Sequence, residues 1–469
     1  MMKKFVGCLL GILLLFSSAH ALEEGLYKIR NKATRRFLNM QLAGMTDRAR
    51  AIQLGKSDML DEVWRIEKTE GGYTLLNAFS PRYLAVRDDE AVEGATIHVE
   101  VNAPYIWQLE ERDGAYRIGS GDLNLALPAN EASFKNLPTL LMYEGQETAL
   151  WELIPVEAAD ELPYMLPLTG SVFQSSCPQI IKQDDTYYMV IQYPHILIKS
   201  SKDLLHWERV GTVFKHSDPS WLSKEVPGYA IWAPSAYKIG DKYFLYYSVS
   251  TLGKQNSAIG LAVNTTMNPD DPDYNWVDAG MVIRSFTGSE YNCIDSNLSY
   301  DEDGHLWLTY GSYWGGIFQR EINPETGHLL YPDDENAPRH HVAQRSGGST
   351  AIEAASVVKR GEYYYLFTAF NPMDLTYHNR VGRSKSAHGP FVDRNGKEML
   401  HGGGTVVTKG LIDLEMPGHA TVFLDDDGQY YFVGEFFRQD IKDTILMIST
   451  IVWDEDGWPQ TALTPGLIK

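Results

Sequence analysis

Glu353 is the first residue in this chain with the look of chemistry about it. It lies among apolar neighbours in Ala351-Ile352-Glu353-Ala354-Ala355 and leads into the β-branched run Ser356-Val357-Val358, which reads as a strand. A glutamate at the buried end of a strand is costly, and its pKa rises as water is withdrawn. A general acid working near neutral pH needs that rise. The alternative is a half-exposed glutamate at a strand edge, and the elements around it must decide.

Those elements form a repeat. Five times, an apolar strand is followed by a turn and an aromatic-rich strand; the strands open at Pro178, Pro234, Ser296, Ala355 and Ala420. The openings are 56, 62, 59 and 65 positions apart, enough for a four-stranded sheet with generous loops. Five such sheets around an axis make a β-propeller, expected over residues 166–469. The residues just before each inner strand then meet at one end of the central channel. They are Ser176-Cys177, Trp232-Ala233, Ile294-Asp295, Ile352-Glu353 and Gly418-His419. Two carboxylates and a histidine among them suit a catalytic pocket; polar plugging of a wet channel is the blander alternative.

A shorter repeat precedes it, over residues 22–157. Three units begin on Tyr27, Tyr73 and Tyr116 and close on Trp64, Trp107 and Trp151, the tryptophans 43 and 44 positions apart. Self-similarity at that period predicts a closed threefold all-β barrel with the tryptophans in its core. The unit resembles the ricin-type β-trefoil, a common sugar-binding module. Its usual Gln two residues before each Trp is replaced here by Glu62, Tyr105 and Ala149. Residues 158–165 are polar and carry a proline, as a linker would. The fold class expected is all-β, a trefoil followed by a propeller.

Residues 1–21 read as a signal peptide. Lys3-Lys4 is a basic start, Phe5 to Phe16 an apolar run too short to span a bilayer, and Ala19-His20-Ala21 a cleavage site. An exported monomer, periplasmic or extracellular and with no transmembrane segment, is expected. The net charge of −20 argues against nucleic acid, which needs the opposite field. The mature chain would keep Cys177 and Cys293, either as one disulfide or as two separate buried thiols.

From about Cys177 to Phe437 the motifs resemble glycoside hydrolase family 43, five-bladed propeller enzymes, and within it the arabinanases. They include Trp232-Ala-Pro, Tyr246-Tyr-Ser-Val-Ser-Thr, Ser257-Ala-Ile-Gly-Leu-Ala and Asn292-Cys-Ile-Asp-Ser-Asn. Asp301-Glu-Asp-Gly, Gly311-Ser-Tyr-Trp, Ala351-Ile-Glu-Ala, Val381-Gly-Arg-Ser-Lys, Gly402-Gly-Gly-Thr and Pro417-Gly-His complete the set. The resemblance implies inverting hydrolysis of α-L-arabinofuranosyl linkages in arabinan, as by an endo-1,5-α-L-arabinanase. Inversion needs an acid and a base roughly 6.5–9.5 Å apart on opposite faces of the sugar. By resemblance Glu353 is the acid, Asp295 orients it and raises its pKa, and His419 lies beside a hydrated calcium ion. Trp232, Tyr313 and Trp314 would stack on sugar, with Asn292 and Ser312 as polar contacts and Arg383 holding Asp295 or a substrate hydroxyl. Packing is the alternative for Trp232 and Trp314, and a strand-end salt bridge for Arg383.

The pattern breaks at the base. The family's base is an Asp just before the proline of the first blade, and here the chain reads Ser175-Ser176-Cys177-Pro178. A thiol with a reference pKa of about 8.5 cannot replace it, and nearby carboxylates raise that value further. Three readings follow: a hydrolase whose base comes from elsewhere, such as Glu225, Glu290 or the substrate itself; an arabinan-binding protein on an impaired scaffold; or a cysteine nucleophile.

Overall fold

The computed structural model describes residues 22–468 except 47, 102–103, 134, 160, 216, 333, 335, 413 and 439–441. The expected signal peptide lies outside the described residues. Among those described, nearly every regular element is a strand, and no helix is long and apolar enough to cross a membrane.

The first unit holds twelve strands, from Gly25–Asn31 to Trp151–Pro155, in one hydrogen-bonded system. Its threefold repeat is written in the tryptophans. Trp64, Trp107 and Trp151 are fully buried, and their indole N–H groups donate to the carbonyls of Leu38, Leu84 and Leu125 at 3.1, 2.8 and 2.7 Å. A buried indole needs such a partner, and each unit supplies it at the equivalent place. All three are core residues, as the sequence predicts, and none is a sugar platform.

This unit shares a core with the propeller. Leu42, Met59, Leu60 and Phe79 pack in one cluster with Met165, Leu166 and Leu168 and with residues of the first and last blades, among them Met189 and Phe436. The fully buried Arg82 donates to the Gly44 carbonyl at 2.7 Å and the Leu168 carbonyl at 3.4 Å. The trefoil thus braces the propeller where its ring is closed.

Blades 1 to 5 begin with the inner strands Ser176–Gln183, Ala230–Ile239, Asn297–Tyr300, Ile352–Arg360 and Glu415–Leu424. Blade 5 contributes only three strands of its own. Its outer edge is paired by the segment entering the propeller. Leu166 N–H donates to Ile448 O and Leu446 N–H to Val172 O, both at 2.8 Å, with Thr450 to Tyr164 and Gln174 to Thr444 at 3.0 Å. The last residues of the expected linker therefore already serve as sheet, and the ring closes without leaving that edge open.

Polar contacts tie the inner strands together around the axis. Gln179 and Ala236 exchange two hydrogen bonds, Ser235 meets Ser296 at 3.0 Å, and Val357 N–H donates to Asn297 Oδ1 at 2.9 Å. Val422 N–H donates to Ser356 Oγ, and Thr421 Oγ1–H to Pro178 O, completing the circle.

Each inner strand carries the same irregularity at the channel mouth. Cys177, Ala233, Asp295, Ala354 and His419 all have left-handed backbone, with φ of 50°, 42°, 59°, 51° and 40°. In blades 1, 2, 4 and 5 the pairing slips beside them, between Ser176 and Gln179, Trp232 and Ser235, Glu353 and Ser356, and Gly418 and Thr421. Non-glycine residues at positive φ cost of order 1–3 kcal/mol each and persist where the surroundings enforce them. The equivalence corrects the expected set in blade 4. The pair there is Glu353-Ala354, so Glu353 stands one position ahead of Cys177, Asp295 and His419. A bulge re-aims side chains, and from that offset Glu353 reaches Ser312 and Tyr377.

Candidate active site

Glu353 is the second residue of the blade 4 inner strand, with 8% of its surface exposed. One carboxylate oxygen accepts the Ser312 hydroxyl at 2.9 Å and the other the Tyr377 hydroxyl at 2.8 Å. Burial raises its pKa, and the Asp295 charge raises it further, against lowering contributions from His419, Tyr377 and Ser312. A carboxyl that is buried, pushed up and still reachable is suited to proton donation.

Asp295 takes the equivalent left-handed position just before the blade 3 inner strand, 4% exposed. Its N–H donates to Ser248 Oγ at 2.9 Å, and its Oδ2 accepts the Ala354 N–H at 3.2 Å. The second bond fixes Asp295 to the residue following Glu353. Burial pushes the Asp295 pKa up to about 7, with the Ala354 N–H pulling the other way.

Cys177 is in the bulge of blade 1, with its thiol donating toward Gln192 Oε1 at 3.3 Å. Burial raises its pKa well above the usual thiol range, and Glu435 and Asp295 raise it further. Cys293 is likewise buried, and both cysteines are free thiols, so no disulfide joins them. A thiol in this state is neither base nor nucleophile. Iodoacetamide at pH 8 is therefore expected to leave Cys177 of the folded protein unmodified while labelling it fully after unfolding. Rapid labelling of Cys177 in the folded protein, read by peptide mass, would contradict this.

Two residues absent from the sequence reading contact these groups. Tyr377, 4% exposed, is the one holding Glu353. Glu435, 8% exposed on the second strand of blade 5 (Tyr430–Arg438), accepts the Cys177 N–H at 3.1 Å on Oε2 and is also hydrogen-bonded by Ser176. Burial pushes its pKa up to about 8, opposed by those two bonds and reinforced by Glu353. The clue was present in Tyr430-Tyr-Phe-Val-Gly-Glu-Phe-Phe, where one acid interrupts an otherwise apolar strand.

The remaining candidates divide. Tyr313 and Trp314 are half-buried with left-handed backbone, φ 55° and 34°, and Tyr313 N–H donates to Ile352 O at 2.8 Å beside the acid. Trp232 is half-buried next to the blade 2 bulge. All three keep part of their surface exposed. Ser312 is engaged by Glu353 and steadies the acid rather than standing free for substrate. Asn292 is 2% exposed, with its Oδ1 taken by Ser285 Oγ at 3.4 Å. Arg383 is away from the channel: it donates to Asp456 O at 2.6 Å and lies over the rings of Tyr363 and Trp458. It does not hold Asp295. Glu225 and Glu290, the loop carboxylates considered as bases, are paired with Arg284 and Arg339.

His419 lies at the bulge of blade 5, its pKa lowered by burial against the pull of Glu353. It lines a channel cavity of about 20 Å³ with Cys177, Asp295, Ser296 and Thr421, room for roughly one water. Calcium takes six to eight oxygen ligands. Here a neutral imidazole and one carboxylate face that space, and among the described residues no group of three or more His, Cys, Asp or Glu is placed to hold a metal ion. The protein supplies few of those oxygens, so a calcium ion beside His419 would be held largely by water.

Comparison with known proteins agrees with this geometry. The family model for glycosyl hydrolases family 43 matches residues 172–459, and that for the ricin-type β-trefoil lectin domain-like family matches residues 15–100. The chain is 36% identical over 299 residues to the extracellular exo-α-(1→5)-L-arabinofuranosidase ArbA of Cellvibrio japonicus, covering 60% of this chain and 85% of the relative. It is 33% identical over 292 residues to the extracellular endo-α-(1→5)-L-arabinanase 1 of Bacillus subtilis, covering 60% and 86%. Among solved structures, the Cellvibrio cellulosa α-L-arabinanase complexed with arabinohexaose superposes with a TM-score of 0.58 at 33% identity, covering 62% of this chain and 96% of that one. The match spans all five blades and both Glu353 and Asp295, and on that ground the chain belongs to family 43 of the glycosyl hydrolases and is a glycosidase.

Proposed function

We propose that the protein is exported and hydrolyses α-1,5-linked L-arabinofuranosyl chains with inversion at the anomeric carbon. The observation that carries this reading is Glu353: a buried carboxyl with a raised pKa, clamped by Ser312 and Tyr377 and tied through Ala354 to Asp295. Glu353 protonates the leaving oxygen. Asp295 keeps the acid's proton available through its nearby charge and its grip on the adjacent backbone. Tyr313, Trp314 and Trp232 offer aromatic faces for the furanose rings. The Cellvibrio and Bacillus relatives are named as an extracellular exo-α-(1→5)-L-arabinofuranosidase and an extracellular endo-α-(1→5)-L-arabinanase, which supports both substrate and location.

The test is to follow linear α-1,5-arabino-oligosaccharide hydrolysis by proton NMR. Inversion makes the β-anomer the first product, ahead of mutarotation. Exclusive release of the α-anomer would rule the mechanism out. The thiol at position 177 favours a second reading, an arabinan-binding protein on the same scaffold. In that case the protein is retarded in an arabinan-containing native gel and releases no sugar.

A further inference from the structure

We propose that Glu435 is the general base of this enzyme, brought to the pocket by blade 5 in place of a carboxylate at position 177. The proposal rests on the hydrolase reading above and supplies the group that reading lacks.

Position is the first argument. Glu435 Oε2 is 3.1 Å from the backbone nitrogen of Cys177, so a carboxylate oxygen already stands beside the residue where a base is missing. Its cross-strand partner Gly418 lies against the ring of Tyr377, whose hydroxyl holds the acid Glu353, so base and acid flank the same blade 5 bulge. At 8% exposure it remains within reach of a water molecule.

Chemistry is the second. The fold asks this position for one acceptor only. Ser248, paired with Trp232 at the bulge of blade 2, caps the N–H of Asp295 at the left-handed position of blade 3 with a hydroxyl. Glu435, paired with Gly418 at the bulge of blade 5, caps the bulge N–H of Cys177 in blade 1 in the same way. A serine suffices for that work, whereas a buried carboxylate carries a desolvation cost. The glutamate is more than the cap requires, and proton abstraction uses what is left over.

The reaction balances without another reagent. A water oxygen forms the new bond to the anomeric carbon and gives one proton to Glu435 in its carboxylate form, the fraction that grows as pH rises toward its pKa of about 8. The glycosidic C–O bond breaks with its electron pair on the leaving oxygen, which takes the proton of Glu353. Exchange with solvent then returns a proton to Glu353 and removes one from Glu435.

The experiment uses the full chain with arabinotriose as substrate and compares wild type with Glu435→Gln and Glu435→Ser. Both variants keep an acceptor for the Cys177 N–H, so circular dichroism should show the native fold. Both are expected to lose roughly 10²–10⁴-fold in kcat, with KM little changed. Added azide needs no deprotonation to attack, so it should raise the rate of either variant and yield the β-arabinosyl azide. Cys177→Asp in the Glu435→Gln background should restore hydrolysis. Glu435→Ser or Glu435→Gln within about fivefold of wild type would overturn the assignment and leave a cap alone. A wild type that releases no sugar would overturn the hydrolase reading itself, and the base assignment with it.

Discussion

Replacing Glu353 with Gln lowers kcat on linear arabino-oligosaccharides by roughly 10²–10⁴-fold, the usual contribution of a positioned proton donor. The amide keeps the shape and can still meet Ser312 and Tyr377, so the folded structure and substrate binding persist. The loss therefore falls on kcat, with KM moving by less than about threefold if binding is uniform. An aryl arabinofuranoside with a good leaving group needs less protonation and should lose far less. Equal losses on both substrates would mean that Glu353 is not the acid.

The same residue dictates the alkaline limb of the pH profile. The acid must hold its proton, so turnover falls as pH rises through its pKa. Burial first, and the Asp295 charge second, raise that pKa. Removing the charge in Asp295→Asn lowers it, and the falling limb moves to lower pH. Because Asp295 is itself pushed up to about 7, the limb reports the pair rather than either carboxyl alone.

Much of this site was legible because a propeller repeats. Pro178, Pro234, Ser296, Ala355 and Ala420 open strands of one kind, so residues over 50 positions apart could be placed at one channel mouth. The thiol at 177 was visible as a misfit because Pro178, which opens the first of the five strands, fixed its place. What stayed hidden depends on backbone detail finer than the repeat. The left-handed bulge puts Glu353 one residue ahead of its counterparts, and a strand pattern of period two cannot show that. Glu435 lies 258 positions from the amide it accepts, and only closure of blade 5 against blade 1 brings them together. Arg383 failed for a related reason. A charged residue near a strand end faces either the channel or the outer loops, and here the rings of Tyr363 and Trp458 draw it outward.

Gly418→Ala shows how little space that arrangement leaves. A Cβ at Gly418 would lie 1.8 Å from Tyr377 Cε1 and 2.2 Å from Cδ1, so the glycine is what lets the tyrosine pass beneath the blade 5 bulge to reach Glu353. The ring is 4% exposed and close-packed, and it cannot yield an ångström without releasing the carboxylate. A misplacement of about 1 Å in a catalytic group costs around 10²-fold, and that is the expected fall in kcat. Tyr377 must carry the effect. In a Tyr377→Ala background, where the ring is gone, adding Gly418→Ala should cost almost nothing more, a strong departure from additivity. A melting curve on each variant separates this from general loss of fold, because Gly418 also pairs with Glu435 across the sheet. If the two substitutions multiply their losses independently, Gly418 acts through the sheet and not through the hydroxyl that holds the acid.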